Sequence, residues 1–176
     1  MTAKQTVVGI GRKNVDDATI HGFGREWQHF DQSGLSEEEA RRTFDDYFAI
    51  FDFAGVDEGF DLGCGSGRWA KLVAPRVKRL HCIDPSDAID VARKNLAGLP
   101  NVTFHCADAG RIPLEDGSQS FGYCLGVLHH IPDPEAALRS AVAKLRPGAQ
   151  FLVYLYYAME NRPAWFRNVW KVSEPR

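Results

Sequence analysis

The stretch Phe60-Asp61-Leu62-Gly63-Cys64-Gly65-Ser66-Gly67 decides how this chain is read. Its first residues, 60–62, form a short strand signal. Glycines then follow at alternate positions: Gly63, Gly65 and Gly67. Such a run lets the backbone turn tightly and lets a ligand approach the main chain without meeting a Cβ. Residues 68–74 read as a helix that stops at Pro75, and its N-terminus and free N–H groups point back at the turn. A strand-to-helix turn of this kind also has a purely structural use. The spacing narrows the ligand. A dinucleotide fingerprint runs G-x-G-x-x-G, whereas this run is G-x-G-x-G and is led by Asp61. An acid at the strand end suits a ligand with an ammonium group and repels a pyrophosphate.

Outward from the turn, short strand and helix signals alternate. Residues 79–83 read as a second strand. Ser86 can cap a helix reaching Leu96, with apolar Ile89 and Leu96 and charged Asp90, Arg93 and Lys94. Residues 102–106 and 121–125 read as the third and fourth strands. Asp133 at a cap position and Pro134 in the first turn open the best-marked helix. Its apolar face is Ala137, Leu138, Ala141, Val142 and Leu145, and Pro147-Gly148 ends it. Residues 150–156 read as a fifth strand, and the pattern allows a last helix starting near Pro163 with Trp165, Phe166, Val169 and Trp170. This alternation predicts an α/β fold: a doubly wound, mostly parallel sheet with helices on both faces. Ligands in such sheets bind at the carboxyl ends of the strands, where strand order reverses.

Before the alternation, residues 1–34 read as an irregular arm with aromatic Phe23, Trp27 and Phe30. Ser36 and Glu39 have capping-box spacing. Phe44, Tyr47, Phe48 and Phe51 then recur at helical spacing, predicting a helix over 36–51 with an aromatic face. The organisation is therefore an arm and capping helix (1–58), a core (59–157) and a C-terminal helical segment (158–176).

The bulk numbers exclude several classes. The 176 residues suit one domain with a real core. A net charge of -2 with no long Lys/Arg run gives no electrostatic demand for nucleic acid. No apolar stretch is long enough to span a membrane, and the polar start lacks a signal-peptide core, so the expected localisation is cytoplasmic. The 4 cysteines, Cys64, Cys82, Cys106 and Cys124, form no CxxC pair, so no metal site is expected. They read as free, mostly buried thiols.

Two more acids follow the strands. Asp84, at the end of strand two, can accept hydrogen bonds from both hydroxyls of a ribose. The other reading of Asp84 is a helix cap, which Ser86 or Asp87 can supply instead. Asp108, just past strand three, can accept from an adenine amino group while the Ala109 N–H meets a ring nitrogen, or it is a solvated loop acid. Leaving strand four, Leu125-Gly126-Val127-Leu128-His129-His130 offers close backbone approach at Gly126 and carbonyls for a ligand's amino group.

With these residues in order, the chain resembles the class I S-adenosylmethionine-dependent methyltransferases of the small-molecule type. The residues that carry the resemblance are the 61–67 turn, Asp84, the Asp108 loop with Ile112-Pro113-Leu114 and Asp116-Gly117-Ser118, the 127–132 stretch and Arg146-Pro147-Gly148. It covers roughly residues 59–157. The resemblance implies a Rossmann-like fold and S-adenosyl-L-methionine as cofactor, with S-adenosyl-L-homocysteine as product. It implies that Asp61, Gly63 and Gly65 hold the methionine end, Asp84 the ribose, Asp108 and Ala109 the adenine, and that Leu125 and Gly126 close over the amino-acid portion. Cys64, Pro85, Ala107 and His130 are expected in the same pocket. It also implies a substrate-side cover from the N-terminal arm and helix, with Phe23, Arg25, Trp27 and Tyr47 as candidates. The family's usual C-terminal strand hairpin is lacking here. That leaves two expectations: a truncated chain, or a homodimer through the strand-five edge or the C-terminal helix.

Methyl transfer from a sulfonium needs chiefly positioning of donor and acceptor. A general base is needed only if the acceptor must lose a proton; His129 and His130 are the candidates, against a pocket-lining role. His21, His29, His81 and His105 form no recognisable constellation in sequence. The expected activity is methyl transfer to a small molecule. The alternatives are a non-catalytic cofactor-binding module or partner subunit, and a nicotinamide-dependent oxidoreductase, which the glycine spacing opposes.

Overall fold

The structure, a computed structural model, describes residues 14–16, 22, 36–49 and 51–155. Phe23, Arg25, Trp27, Phe30 and the segment 163–170 named above lie outside the described residues.

Ser36 and Glu39 form the predicted capping box: the Ser36 hydroxyl accepts the Glu39 N–H, and the Glu39 carboxylate accepts the Ser36 N–H. They start helix α1 (Glu37–Phe48), which ends before the expected Phe51. The Phe51 N–H still bonds the Phe48 carbonyl, and its ring stays buried.

The core alternates as read. Strands β1 (Glu58–Leu62), β2 (Arg79–Ile83), β3 (Val102–His105), β4 (Gln119–Leu125) and β5 (Leu145–Tyr154) form one sheet. Its order is β3-β2-β1-β4-β5, and every pairing is parallel. Between the strands lie α2 (Ala70–Val73), α3 (Ala88–Asn95) and α4 (Pro134–Lys144). Strand order reverses between β1 and β4, so the crevice for a ligand opens at the carboxyl ends of those two strands.

Two aromatic rings lock the centre of the sheet. Gly59 pairs with Phe121 and Phe60 with Gly122. A Cβ on Gly59 would sit 2.3 Å from the Phe121 ring, and one on Gly122 would sit 2.6 Å from Phe60. Each ring therefore lies flat across its neighbour's glycine, on opposite faces. On the Phe121 face, Phe44 and Phe48 of α1 pack with Phe51, Tyr123, Val73, Ile89 and Leu96. Phe44 and Phe48 stack at 4.4 Å, and Phe48 meets Tyr123 edge-on at 5.4 Å. Each fully buried ring contributes about 2–3 kcal/mol. On the Phe60 face, Leu62, Ile83, Cys124 and Leu128 pack with Ala137 and Ala141 of α4.

Several expectations are corrected. The helix expected over 68–74 is reduced to α2, and residues Ala74–Arg76 tighten into a 3-10 turn. Pro75 lacks the N–H that would continue the α-helix. Leu138 and Val142, expected on the buried face of α4, are exposed; the buried residues of the helix are Ala137 and Ala141, whose small side chains let it lie close to the sheet. Helix α4 ends at Lys144, and Pro147-Gly148 falls inside β5. There it forms an irregularity: pairing jumps from Gln119↔Leu145 to Phe121↔Gln150. Cys64, Cys82 and Cys124 are buried free thiols, but Cys106 is exposed, because β3 ends one residue earlier than expected.

Candidate functional site

The glycine turn is drawn inward by β2. The N–H groups of Gly63 and Cys64 both donate to the Ile83 carbonyl, at 2.7 and 3.2 Å. The Gly65 N–H donates to Asp84 Oδ2 at 2.9 Å, and the Gly67 N–H to the Cys64 carbonyl at 2.9 Å. Gly63 has φ +77°, and a Cβ there would lie 2.5 Å from Val127. These four N–H groups are already used within the chain. The turn is therefore a close-fitting wall rather than an anion cradle of the phosphate-binding kind.

Asp84 is buried and serves two turns. Besides Gly65, it accepts the Ser86 N–H at 2.9 Å and the Ser86 hydroxyl at 2.6 Å through Oδ1. Ser86 in turn accepts the Ala88 N–H. Asp87, at the cap position of α3, makes no side-chain cap bond. Asp84 thus braces the glycine turn against the start of α3 while its surface faces the crevice.

That crevice holds a cavity of about 430 Å³, within the range of small-molecule sites. Of the residues singled out from sequence, Gly63, Cys64, Gly65, Asp84, Pro85, Ala107, Ala109, Leu125, Gly126, His130 and Tyr47 line it. Asp61, Asp108 and His129 do not. Asp61 is 2% exposed, and its Oδ2 has no hydrogen-bond partner. Burial pushes its carboxyl up to about 8; nearby Tyr123 offsets part of this, and Asp84 adds to it. The buried Tyr123 hydroxyl likewise has no well-aligned partner.

Asp108 lies behind Ala107 and Ala109. Its Oδ1 accepts the Gly110 N–H at 2.8 Å and the Asn14 N–H at 3.3 Å. Asn14 also donates through Nδ2 to the Asp133 carbonyl at 2.7 Å and accepts the Asp133 N–H at 3.0 Å. It pins residues 14–16 across the cavity, and Asn14, Val15 and Asp16 form part of the wall. Nothing in the sequence marks Asn14; a lone Asn in a polar arm has no periodic or motif signal. Arg68, Trp69, Ile131 and Tyr154 also line the cavity without having been singled out.

The aromatic end of the cavity is built by three elements. Tyr47 of α1 meets Trp69 at 5.1 Å and the edge of Tyr154, on β5, at 4.9 Å. His129 and His130 sit 4.0 Å apart, but only His130 reaches the cavity. Burial and the neighbouring His130 hold His129 below the ordinary imidazole range. Cys64 lines the wall as a thiol. Contact with the Cys82 thiol and burial push it well above its ordinary value, which removes it as a nucleophile. No cluster of His, Cys, Asp and Glu suited to a metal exists among the described residues, and no described helix is long and apolar enough to cross a membrane.

His81 and His105, unconnected in sequence, do meet. Glu58 bonds His81 Nε2 at 2.9 Å, and His81 Nδ1 bonds His105 Nε2 at 3.0 Å. The bond to His81 holds Glu58 below the usual carboxylate range. None of the three lines the cavity.

A parallel sheet with a ligand cavity at its switch point, walled by a glycine turn and acids, defines a nucleotide-type site of the Rossmann-like class. Residues 60–153 match the model of a family described as a methyltransferase domain. The chain belongs to that family and has the fold of the class I methyltransferases. It is 30% identical over 136 residues to the 27-O-demethylrifamycin SV methyltransferase of Amycolatopsis mediterranei, covering 74% of this chain and 48% of that protein. A solved candidate methyltransferase from Bacillus halodurans superposes with TM-score 0.66 at 27% identity, covering 74% of this chain and 58% of the other. The N-methyltransferase NodS of Bradyrhizobium japonicum, solved with S-adenosyl-L-homocysteine, has the same fold: TM-score 0.62 at 22% identity, covering 77% and 72%. The chain spans less than half the length of the curated relatives it matches.

Proposed function

We propose that this chain binds S-adenosyl-L-methionine in the cavity at the β1–β4 switch point and transfers its methyl group to a small-molecule acceptor. The observation that carries this reading is the turn itself. Its Gly63, Cys64, Gly65 and Gly67 N–H groups are consumed by Ile83, Asp84 and Cys64, so the three glycines of the turn offer no free N–H to a pyrophosphate. Acids stand beside it instead, one of them, Asp61, fully buried with an orphan oxygen. Those residues fit a cationic, phosphate-free nucleoside and oppose a nicotinamide dinucleotide.

In this reading the Asp84 carboxylate faces the ribose hydroxyls. The backbone at Ala107 and Ala109 meets the adenine edge, with Asp108 holding that loop in shape through Gly110 and Asn14. Gly63 and Gly65 admit the amino-acid portion against Leu125 and Gly126. When bound, the cofactor supplies the activated methyl group, so this chain's contribution is placement and exclusion of water. Tyr47, Trp69 and Tyr154 provide aromatic faces at one end of the cavity, which favour a neighbouring cation. His130 is the residue placed to receive a proton from an acceptor hydroxyl or amine.

A non-catalytic cofactor-binding module is the second reading. It takes the same cavity and the same cofactor contacts and differs only in the absence of transfer. Equilibrium binding of S-adenosyl-L-homocysteine, followed by transfer of a labelled methyl group to a panel of small phenols, acids and amines, separates the two. Binding with transfer supports the enzyme. Binding without transfer to any acceptor supports the module. Absence of binding overturns both.

A further inference from the structure

Arg68 is the single Lys or Arg among the described residues that line the cavity. Several other cations have acidic partners: Lys78 with Asp57 at 2.9 Å, Arg93 with Asp90 at 3.5 Å and Lys144 with Asp116 at 2.6 Å. Arg68 has no such partner among the described residues. Its guanidinium lies 4.5 Å from the centroid of the Trp69 ring, and its Nε is buried with no hydrogen-bond acceptor. Trp69 holds the planar group in place but has no lone pair to offer its N–H donors. A buried, unsatisfied donor is destabilising. The chain tolerates that cost on a wall where Gly63, Gly65 and Tyr47 also face the ligand. A guanidinium set over Trp69 whose Nε has no acceptor among the described residues matches a planar, bidentate anion.

We propose that Arg68 is the carboxylate-binding residue of this pocket. Its fork takes a carboxylate from the bound small molecules, either the amino-acid carboxylate of the cofactor or an acid group on the methyl acceptor. The first source rests on the proposed cofactor; the second does not. Asp84 and the turn select the nucleoside, and Arg68 reads the acid at the other end. No bond is made or broken in this step: the guanidinium stays protonated throughout.

The test is calorimetric titration of the whole chain as wild type, Arg68→Lys and Arg68→Ala. The probes are S-adenosyl-L-homocysteine, and 5′-methylthioadenosine, which lacks the amino-acid portion. Benzoate and benzamide are then titrated into protein saturated with S-adenosyl-L-homocysteine. If Arg68 holds the cofactor, Arg68→Ala weakens S-adenosyl-L-homocysteine by about tenfold or more and leaves 5′-methylthioadenosine unchanged, with Arg68→Lys in between. If Arg68 holds an acidic acceptor, both nucleosides bind as before, while benzoate binds wild type and not Arg68→Ala, and benzamide binds neither better. Equal losses for the two nucleosides overturn the proposal, as does an unchanged S-adenosyl-L-homocysteine affinity with no Arg68-dependent benzoate binding. Should Arg68→Ala fail to fold, Arg68→Lys carries the same comparison, because it keeps the charge and loses the fork. Wild type that binds neither nucleoside overturns the proposed function instead; benzoate titrated into the ligand-free chain then decides Arg68 alone.

Discussion

Replacing Asp61 by Asn keeps the shape of a buried side chain and removes its titration. Burial pushes the Asp61 carboxyl from 3.8 to about 8 in the folded chain, whereas the unfolded chain restores the ordinary value. Between those two values the unfolded state gives up a proton that the folded state keeps. Stability therefore falls as pH rises through this window, and levels off above the folded value. The gradient is about 1.4 kcal/mol per pH unit. By pH 7 the cost approaches about 4 kcal/mol as an upper bound. Asp61→Asn is expected to recover about half of it, the rest going to desolvation of the amide. That gain is worth several degrees in Tm at about 2–4 °C per kcal/mol. The assay is thermal unfolding by circular dichroism from pH 5 to pH 8. The gain of Asp61→Asn over wild type should widen with pH across this range. A variant less stable than wild type at every pH, or a difference constant with pH, refutes the reasoning. The stabilised variant should also bind S-adenosyl-L-homocysteine more weakly, because the side chain behind the glycine turn can no longer ionise in response to a bound ammonium group.

Three further outcomes follow from the site. Gly63→Ala forces φ +77° on an L-residue and drives its Cβ to 2.5 Å from Val127; it should cost roughly 2–5 kcal/mol in chemical denaturation and abolish nucleoside binding. Asn14→Ala removes the bonds to both Asp133 backbone groups; a Tm loss equivalent to about 1–3 kcal/mol is expected, with weaker binding of S-adenosyl-L-homocysteine in the same titration. His130→Ala should alter ligand affinity while His129→Ala should lower Tm and leave affinity alone, since only His130 reaches the cavity; equal affinity losses in the two variants would contradict that placement.

Much of the core was legible because its signals are local. Strand β2 occupies the residues 79–83 read from sequence, and the capping box and the Asp133–Pro134 helix start form as their chemistry requires. The failures share a cause. Leu138 and Val142 fit an apolar helical stripe, yet the contact between α4 and the sheet is made by alanines, and only tertiary distance reveals that. Pro147-Gly148 reads as a helix stop, but the chain has already turned at Leu145 and absorbs the pair in the first part of β5. In the site, the residues beside the glycine turn were recoverable from spacing. Asn14 and Tyr154 were not, because they reach the cavity by packing from distant parts of the chain, and Arg68 and Trp69, which follow the turn directly, were absorbed into a helix signal that does not say which way they face. The acids were found but ranked alike, whereas the structure separates them: Asp84 lines the cavity, and Asp61 and Asp108 do not.

The reading of the glycine turn as a wall for a phosphate-free nucleoside is tested most directly by side-by-side titration of the wild-type chain with S-adenosyl-L-homocysteine and NAD. Saturable binding of S-adenosyl-L-homocysteine at one site per chain, with no heat from NAD, is the expected result. Binding of NAD with no response to S-adenosyl-L-homocysteine would contradict it.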